Sequence, residues 1–266
     1  MARPQPNVLV NTDHGMMIVN RLDYALAPDG KSGYGVGFQL LNKGNYDPEE
    51  INLVKFLAKD MADQLDRPIT MVDGGANIGV HTIEWAKSLN HRGRIVAFEA
   101  QEHIYHMLAG NVALNNCFNV KLFNAALSSS EGWLDIPKPN YNDTGSFGSM
   151  ELKQHDRSEN IGQDLTMKAT VATMAIDDFE FQHLDFLKLD VEGMEMEALA
   201  GADETIKRCK PRMLIEIIKI ERAEISGWLH ERDYTAYPFA GNFIAVHKSD
   251  SMSDRITSEN GVISIS

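Results

Sequence analysis

The sequence has little cysteine and no long apolar segment. Its 266 residues contain two cysteines, Cys117 and Cys209, which are too few for a disulfide framework and predict a reducing compartment. A run of about 18 apolar residues, the minimum for a membrane-spanning helix, does not occur. Residues 1–20 also lack the apolar core of a secretory signal peptide. We therefore expect a cytoplasmic protein with no membrane partner.

Basic residues are scarce as well. The chain has 25 Lys and Arg against 38 Asp and Glu, a net charge of −13. Nucleic acids and anionic membranes are bound by basic surfaces, so we expect neither as a partner. The apolar fraction of 43% and the charged fraction of 24% are those of an ordinary globular protein. The length suits one α/β domain with additions.

A glycine-rich stretch is the strongest local signal that is present. The short apolar run 69–72 ends in Asp73, and a helical pattern begins near Val80. Three glycines lie between them, namely Gly74, Gly75 and Gly79. This order is typical of a buried strand, a tight turn and a helix N-terminus, where glycine lets the backbone turn sharply and approach a ligand. Open α/β sheets bind ligands at this place, outside the carboxyl ends of their strands.

The acids that end the first two predicted strands indicate which ligand binds there. A carboxylate at Asp73 would repel the pyrophosphate that a dinucleotide site places on the helix N-terminus. S-adenosylmethionine carries a sulfonium cation and an amino acid group instead, and both tolerate an acid. Glu99 ends the next apolar run, at a spacing that fits turn, helix and strand, where a ribose diol can donate to it. The sequence therefore predicts S-adenosylmethionine, with a nicotinamide-dependent oxidoreductase as the less favoured alternative.

Four motifs extend this interpretation. They are Val-Asp-Gly-Gly-Ala-Asn-Ile-Gly at 72–79, Phe-Glu-Ala at 98–100, Asn-Ala-Ala-Leu at 124–127 and Lys-Leu-Asp-Val-Glu-Gly at 188–193. Over about residues 45–220 the chain resembles the FkbM-type methyltransferases, class I enzymes that use S-adenosylmethionine and mostly methylate hydroxyl oxygens. The family more often has a branched residue where this chain has Gly74. The turn, its neighbours and these motifs predict the cofactor contacts Asp73, Gly74, Gly75, Ala76, Asn77, Gly79, His81, Glu99, Ala100, Ala126 and Asp190.

Beyond residue 68, strands and helices alternate, as in a parallel sheet covered on both faces. We predict strands at 69–73, 94–99, 119–124, 185–190 and 212–217, and helices near 79–90, 102–116, 194–208 and 221–232. A hairpin-like excursion is expected from strands at 132–137 and 168–174. A closing hairpin at 234–237 and 243–247 resembles the antiparallel seventh strand of class I methyltransferases. The predicted fold is a doubly wound, mostly parallel, seven-stranded Rossmann-like sheet with an N-terminal β appendage.

The two ends of the chain are expected to be additions. Residues 1–47 predict the β appendage, with strands at Met16–Val19 and Gly35–Leu41 around a turn at Pro28–Gly30. The methyltransferase domain is predicted at 48–248. Its first helix has Asp47 as N-cap and Pro48 at its first position, and ends before Pro68. Residues 249–266 predict a loose tail, in which 262–265 can form a strand.

The motif at 188–193 carries the candidate catalytic residues Lys188, Asp190 and Glu192. Asp190 is the candidate general base, or Lys188 if its pKa is depressed; alternatively, Asp190 only caps the following helix. Lys188 and Glu216 both interrupt apolar strands, which predicts a buried ion pair between them. Asp190 with Glu192 is weak support for a cation site, so no metal is predicted.

His155 is within reach of a substrate if the excursion loop folds over the site. The predicted function is methyl transfer from S-adenosylmethionine to a hydroxyl of a small molecule, such as a sugar or a polyketide-like product. The alternative is a non-catalytic module that binds S-adenosylmethionine.

Overall fold

The N-terminal part of the chain forms a hairpin and a helix. The computed structural model describes residues 5–26, 33–154, 158, 160–259 and 262–266. The predicted strand at Met16–Val19 is confirmed within the second element. The predicted turn at Pro28–Gly30 and the side chain of His155 lie outside the described residues. In chain order the first elements are β1 (Asn7–Thr12), β2 (Gly15–Asn20), β3 (Ala25–Leu26), β4 (Gly33–Tyr34) and α1 (Val36–Lys43).

The second strand predicted in this segment is wrong, because the chain forms α1 there. Val36 and Leu40 are both buried, and their spacing fits one face of a strand as well as one face of a helix. Tertiary contacts decide between the two. Gly35 turns the chain with a φ of 129°, and the Asp23 carboxylate accepts the N–H of Gly37 at 2.8 Å in the first helical turn. That bond satisfies a donor that a helix start leaves free.

The next helix, α2 (Pro48–Gln64), confirms the predicted helix that begins at Pro48 and ends before Pro68. One detail is wrong, since Asp47 has a φ of 35° and makes no side-chain capping hydrogen bond. The proline, whose ring presets a helical φ, therefore defines this start without a side-chain cap. The predicted apolar stripe is buried at Ile51, Val54, Leu57 and Met61.

From here strands and helices alternate as predicted, and the five predicted parallel strands agree with the structure within one residue at each end. The elements are β5 (Ile69–Gly74), α3 (Val80–Leu89), β6 (Gly93–Phe98), α4 (Glu102–Leu114), β7 (Val120–Phe123), β8 (Ala126–Leu127), β9 (Gly132–Pro137), β10 (Lys168–Met174), β11 (Phe186–Leu189), α5 (Glu195–Ala200), α6 (Asp203–Cys209), β12 (Arg212–Glu216), α7 (Arg222–His230), β13 (Tyr234–Phe239) and β14 (Asn242–His247). Short 3-10 helices lie at Asn90–Arg92, Phe147–Ser149, Ile176–Phe179 and Ser251–Asp254.

Among the described residues, the central sheet has seven strands in the order β13-β14-β12-β11-β5-β6-β7. Neighbours pair in parallel, except that β14 lies antiparallel between β12 and β13. This confirms the predicted doubly wound, Rossmann-like sheet with its antiparallel seventh strand. The strand order reverses between β5 and β11. A sheet of this kind binds its ligands at that reversal, at the carboxyl ends of the strands.

Both faces of the sheet are buried. In β12, Leu214 packs into a cluster with Val54 of α2, whereas Met213 and Ile215 pack into a second cluster with Leu199 of α5. This alternation is what a strand between two helical layers requires. Within the described residues, no helix is both long and apolar enough to cross a membrane.

The excursion is a separate small sheet. β9 pairs antiparallel with β10, which confirms the two predicted strands, and β8 pairs with the other edge of β10. The single helix predicted at 194–208 is two helices, α5 and α6, with Gly201 at the break. A Cβ at Gly201 would lie 2.0 Å from the Ser128 carbonyl oxygen. The break therefore lets the chain pass close to the start of the excursion.

The C-terminal residues differ from the expected loose tail. β15 (Ile256–Glu259) and β16 (Val262–Ile265) form an antiparallel hairpin. Met252 is buried in the cluster that holds Met17 and Leu57, and Arg255 Nη1 lies 2.7 Å from Asp60 Oδ1. Both ends of the chain thus pack against the central domain, and the boundaries at 47 and 248 stay a prediction.

Candidate functional site

A cleft opens where the strand order reverses, at the carboxyl ends of β5 and β11. It encloses about 1260 Å³ of space, part of it open to solvent. The β5–α3 turn, α1 and the ends of β6, β11 and β12 contribute its walls. Its polar lining residues are Tyr34, Gln39, Tyr46, Asn77, His81, Glu99, Gln101, Ser146, Ser149, Lys188, Asp190, Glu192, Glu216 and Lys219.

The turn between β5 and α3 requires glycine at its centre. Gly75 has a φ of 76°, and a Cβ there would lie 1.7 Å from the Asp190 carbonyl oxygen. The N–H groups of Gly75 and Ala76 donate to the Phe98 carbonyl oxygen at 3.1 and 2.9 Å. Glycine is therefore required for the turn to pack against the backbone at Asp190, and these two donors are already used inside the protein.

Gly74 stands where the resembling family more often has a branched residue. A Cβ at this position would lie 2.7 Å from Leu127 Cδ1 and 3.0 Å from the Lys188 carbonyl oxygen. A branched side chain would therefore require Leu127 and the β11 backbone to move. The departure from the family pattern is matched by close packing around it.

Glu99 lies on the cleft lining directly after β6 and is 6% exposed. Its Oε2 accepts the N–H of Asn77 at 2.9 Å, and its Oε1 accepts the N–H of Gln101 at 2.8 Å. Burial raises the pKa of this carboxyl to about 7, although the two N–H donors act in the opposite direction. Each oxygen keeps a lone pair, because a carboxylate has about four acceptor sites. Glu99 can therefore accept two further hydrogen bonds from a diol.

Asp73 lies beneath the cleft. Its side chain is fully buried. Its Oδ2 accepts the Thr82 hydroxyl at 2.5 Å, and its Oδ1 lies 3.7 Å from Lys188 Nζ. The structure brings eight of the predicted cofactor residues to the cleft surface, namely Gly75, Ala76, Asn77, His81, Glu99, Ala100, Ala126 and Asp190. It places Asp73, Gly74 and Gly79 behind that surface.

The charged group at the end of β11 is organised around Lys188. Its Nζ lies 3.1 Å from Asp190 Oδ2 and 3.7 Å from Asp73 Oδ1. The predicted pairing with Glu216 is wrong, because register places Lys188 beside Asp73 on β5 and beside Leu214 on β12. Asp190 does not cap the following helix: the N-cap of α5 is Met194, and it has no side-chain cap.

The pKa of Lys188 determines what this residue can do. Burial by itself lowers that pKa, but Asp190, Asp73 and Glu50 together raise it above the ordinary value. A lysine acts as a base only when it loses its proton near neutral pH. The pKa of Lys188 is therefore raised and not depressed, so Lys188 does not act as a base. It serves as a fixed cation.

Glu192 and Lys219 form a second charged pair at the cleft. Lys219 Nζ donates to Glu192 Oε2 and also to the Ser149 carbonyl oxygen at 2.7 Å. Burial, followed by the negative charge of Asp190, raises the pKa of Glu192. Lys219 was not predicted, although it follows the end of β12, as Asp190 follows the end of β11. Within the described part of the chain, no three His, Cys, Asp or Glu side chains are arranged to hold a metal ion.

His81 and Tyr46 line the wall next to α2. His81 Nε2 lies 3.0 Å from Glu50 Oε1, and the Asn242 amide donates to Glu50 Oε2 at 2.9 Å. Burial raises the pKa of Glu50, but the His81 hydrogen bond and nearby positive charge outweigh it and lower the pKa overall. Tyr46 meets the His81 ring edge-on with centroids 6.2 Å apart. Sequence reasoning missed Tyr46 and Glu50, since neither belongs to a motif.

Asp23 joins two cleft walls that are far apart in sequence. Its Oδ2 accepts the N–H of Gly37 at 2.8 Å, and its Oδ1 accepts the N–H of Phe147 at 3.0 Å. The Gln101 amide donates to the Phe147 carbonyl oxygen at 2.9 Å. Burial raises the pKa of Asp23 to about 6. The sequence did not predict these contacts of Asp23, because a single acidic residue in a loop is common.

The sequence profile of the methyltransferase FkbM domain matches residues 73–236. Two relatives are similar over about half of the chain. Methyltransferase sdnD of Sordaria araneosa is 29% identical over 168 residues, which cover 54% of this chain and 64% of that protein. Methyltransferase 1 of Beauveria bassiana is 27% identical over 146 residues, covering 50% and 58%. The matched part thus spans less than two thirds of either relative.

Several solved structures are also similar to this chain. The crystal structure of methyltransferase FkbM from Methylobacillus flagellatus aligns with a TM-score of 0.48 and 16% identity, covering 68% of this chain and 44% of that one.

Proposed function

The chain belongs to the FkbM methyltransferase family, and from this premise we propose that it transfers the methyl group of S-adenosylmethionine to a hydroxyl oxygen of a small molecule, such as a sugar or a polyketide-like product. The observation that carries the proposal is a cleft whose lining combines two chemically different groups. One is a buried carboxylate, Glu99, suited to a diol. The other is an ordered group of charged side chains around Lys188 and Asp190.

The residues present fit S-adenosylmethionine. Glu99 would accept the ribose hydroxyls, because both of its oxygens keep lone pairs beside the Asn77 and Gln101 N–H groups. Gly75 and Ala76 line the cleft, so their backbone would lie against the ligand. The cofactor supplies a methyl group bound to a positively charged sulfur. Carboxylates along the lining favour that charge.

The same contacts disfavour a nicotinamide dinucleotide. A pyrophosphate binds free N–H groups at the start of a helix. Here the N–H groups of Gly75 and Ala76 donate to Phe98, and that of Asn77 donates to Glu99. Three N–H donors of the glycine turn are thus used inside the protein and are not free for a pyrophosphate.

Asp190 would orient the acceptor. Its side chain is 35% exposed, and its Oδ2 is bonded to Lys188. An acceptor hydroxyl can donate to the remaining lone pairs. Methyl transfer requires the oxygen, the methyl carbon and the sulfur to lie in line, so a fixed partner for the hydroxyl accelerates the reaction by positioning it. Lys188 in turn holds Asp190, because it is tied to Asp73 below the cleft.

The proposal is tested by binding and then by product analysis. Calorimetry should show binding of S-adenosylhomocysteine and no binding of NAD under the same conditions. Hydroxylated sugars and phenols are then incubated with S-adenosylmethionine, each beside its deoxy analogue as matched control. Mass spectrometry should find a methyl ether only with the hydroxylated member. Binding without any methylated product would favour the non-catalytic module, and product at nitrogen or carbon would contradict the hydroxyl as acceptor.

A further inference from the structure

We propose that Glu216 is the catalytic base that takes the proton of the acceptor hydroxyl, while Asp190 orients that hydroxyl. This inference rests on the proposed methyl transfer to oxygen and adds a residue to it. Glu216 is the last residue of β12 and lies on the cleft lining.

The register of the sheet brings Glu216 next to the site. β11 and β12 pair in parallel with Leu189 beside Ile215, so the following residues, Asp190 and Glu216, end adjacent strands at the same edge. On its other side Glu216 pairs with Asn242 of β14. The two carboxylates therefore stand side by side at the carboxyl ends of β11 and β12, next to the reversal between β5 and β11 where sheets of this kind bind their ligands.

Glu216 differs from the other carboxylates of the cleft in its hydrogen bonding. Glu99 accepts two backbone N–H groups, Asp190 accepts Lys188, and Glu192 accepts Lys219. Among the described residues, Glu216 Oε2 is buried and has no hydrogen-bond partner. A buried polar atom without a partner costs free energy, and such atoms persist at functional sites. The missing donor matches an acceptor hydroxyl.

The surroundings also make Glu216 a stronger base than an ordinary glutamate. Burial raises its pKa, and the negative charge of Asp190 raises it further, while Lys219 and Lys188 act in the opposite direction. A base works best when its pKa is near the operating pH. Two neighbouring carboxylates in different environments commonly divide their roles in this way. Asp190, held by Lys188, orients the hydroxyl, and Glu216 takes its proton.

The step balances without a further reagent. The acceptor O–H bond breaks, and its proton goes to the Glu216 carboxylate. The freed oxygen lone pair forms the new O–C bond to the methyl carbon as the S–C bond breaks. The electron pair of that bond stays on sulfur, which becomes a neutral thioether. Glu216 ends as a carboxylic acid and returns its proton to solvent through the open side of the cleft.

Glu216→Gln is the first test, because glutamine keeps the size but cannot take a proton. With any acceptor that the parent methylates, turnover should fall about 10²–10⁴-fold, whereas calorimetric affinity for S-adenosylhomocysteine should stay within threefold. Glu131→Gln, which removes an exposed acid before β9, serves as the matched control and should behave as the parent. Added formate should restore part of the turnover of Glu216→Ala, because it supplies the missing carboxylate.

A readout without turnover uses carbon-13 titration of the glutamate carboxyls in the protein alone. The resonance that Glu216→Gln removes should titrate above the ordinary glutamate range. Turnover of Glu216→Gln within threefold of the parent, absence of formate rescue, or an ordinary titration of that resonance would each overturn the base role while methyl transfer stands. If the parent forms no methyl ether with any hydroxylated acceptor, the proposed function fails and the base role fails with it.

Discussion

The buried Lys188 ammonium allows a sharp test of how the site is held together. In Lys188→Met, Asp73 keeps the hydrogen bond from Thr82 at 2.5 Å but loses the cation 3.7 Å from its other oxygen. Asp190 loses the same cation at 3.1 Å, although its partial exposure lets water replace part of that interaction. The cost therefore comes mainly from Asp73, whose side chain is fully buried.

The size of the effect follows from the geometry. Two unit charges separated by 3.7 Å interact by about 4 kcal/mol at an effective dielectric constant of about 20. Removing one partner of a buried pair typically costs about 3–5 kcal/mol, because the other charge stays buried and uncompensated. We expect Lys188→Met to lower the free energy of unfolding by that amount. The melting temperature should fall by roughly 6–20 °C, at about 2–4 °C per kcal/mol for a protein of this size.

Two double-mutant cycles measured by urea unfolding test the reasoning. Lys188→Met combined with Asp73→Asn should cost about 2 kcal/mol less than the sum of the single changes, because the double variant buries neither charge. Lys188→Met combined with Glu216→Gln is the matched cycle and should show a smaller coupling energy, since these two residues form no ion pair. Equal couplings, or a larger coupling with Glu216, would refute the assignment of Asp73 as the partner.

Three further predictions concern ligand binding and turnover. Glu99→Ala should weaken S-adenosylhomocysteine binding about ten- to hundredfold, since hydrogen bonds to a charged group contribute about 1.5–3 kcal/mol; unchanged calorimetric affinity would remove Glu99 from the ribose site. In the parent, the affinity for S-adenosylhomocysteine should rise about tenfold from pH 6 to pH 8. With a pKa of about 7, the unliganded Glu99 carboxyl is protonated at the lower pH, whereas the ribose donors bind its ionised form. The affinity of Glu99→Gln for S-adenosylhomocysteine should not change over the same pH range. A rise with pH as steep as that of the parent would exclude Glu99 as the titrating group. Asp190→Asn should lower kcat/KM about ten- to hundredfold with little change in cofactor affinity, and turnover equal to the parent would leave Asp190 a structural residue.

Most of the central sheet was predictable because its signals are local. An apolar run, a glycine turn and a helical stripe each depend on residues within a few positions of one another, and these identified β5, α3 and α2. The same locality explains the wrong strand at α1. The spacing of Val36 and Leu40 fits a strand as well as a helix. The contact that favours the helix comes from Asp23, in a different part of the chain. Of the C-terminal hairpin, the strand predicted at 262–265 is confirmed, whereas β15 was missed because its polar residues show only a weak alternation.

The residues of the candidate site were likewise predictable in part from local sequence. Asp73, Glu99 and Asp190 were found from sequence, since each ends a predicted strand and parallel strands end at the same edge of the sheet. Which of them faces the cleft was decided by the fold, and Asp73 turned out to lie beneath it. The partner of Lys188 depends on strand register, which the sequence of one strand cannot specify.

What the sequence determined by itself is the order of elements, the glycine turn and the acids at the strand ends, because backbone sterics and hydrophobic periodicity act over a few residues. What only the tertiary structure decided is which charges meet. Lys188 pairs with Asp73 through the register of β11 on β5, and Asp23 joins α1 to Phe147 across the cleft. Such contacts link residues that are distant in sequence, so they form only when the sheet order and the paths of the loops bring those residues together.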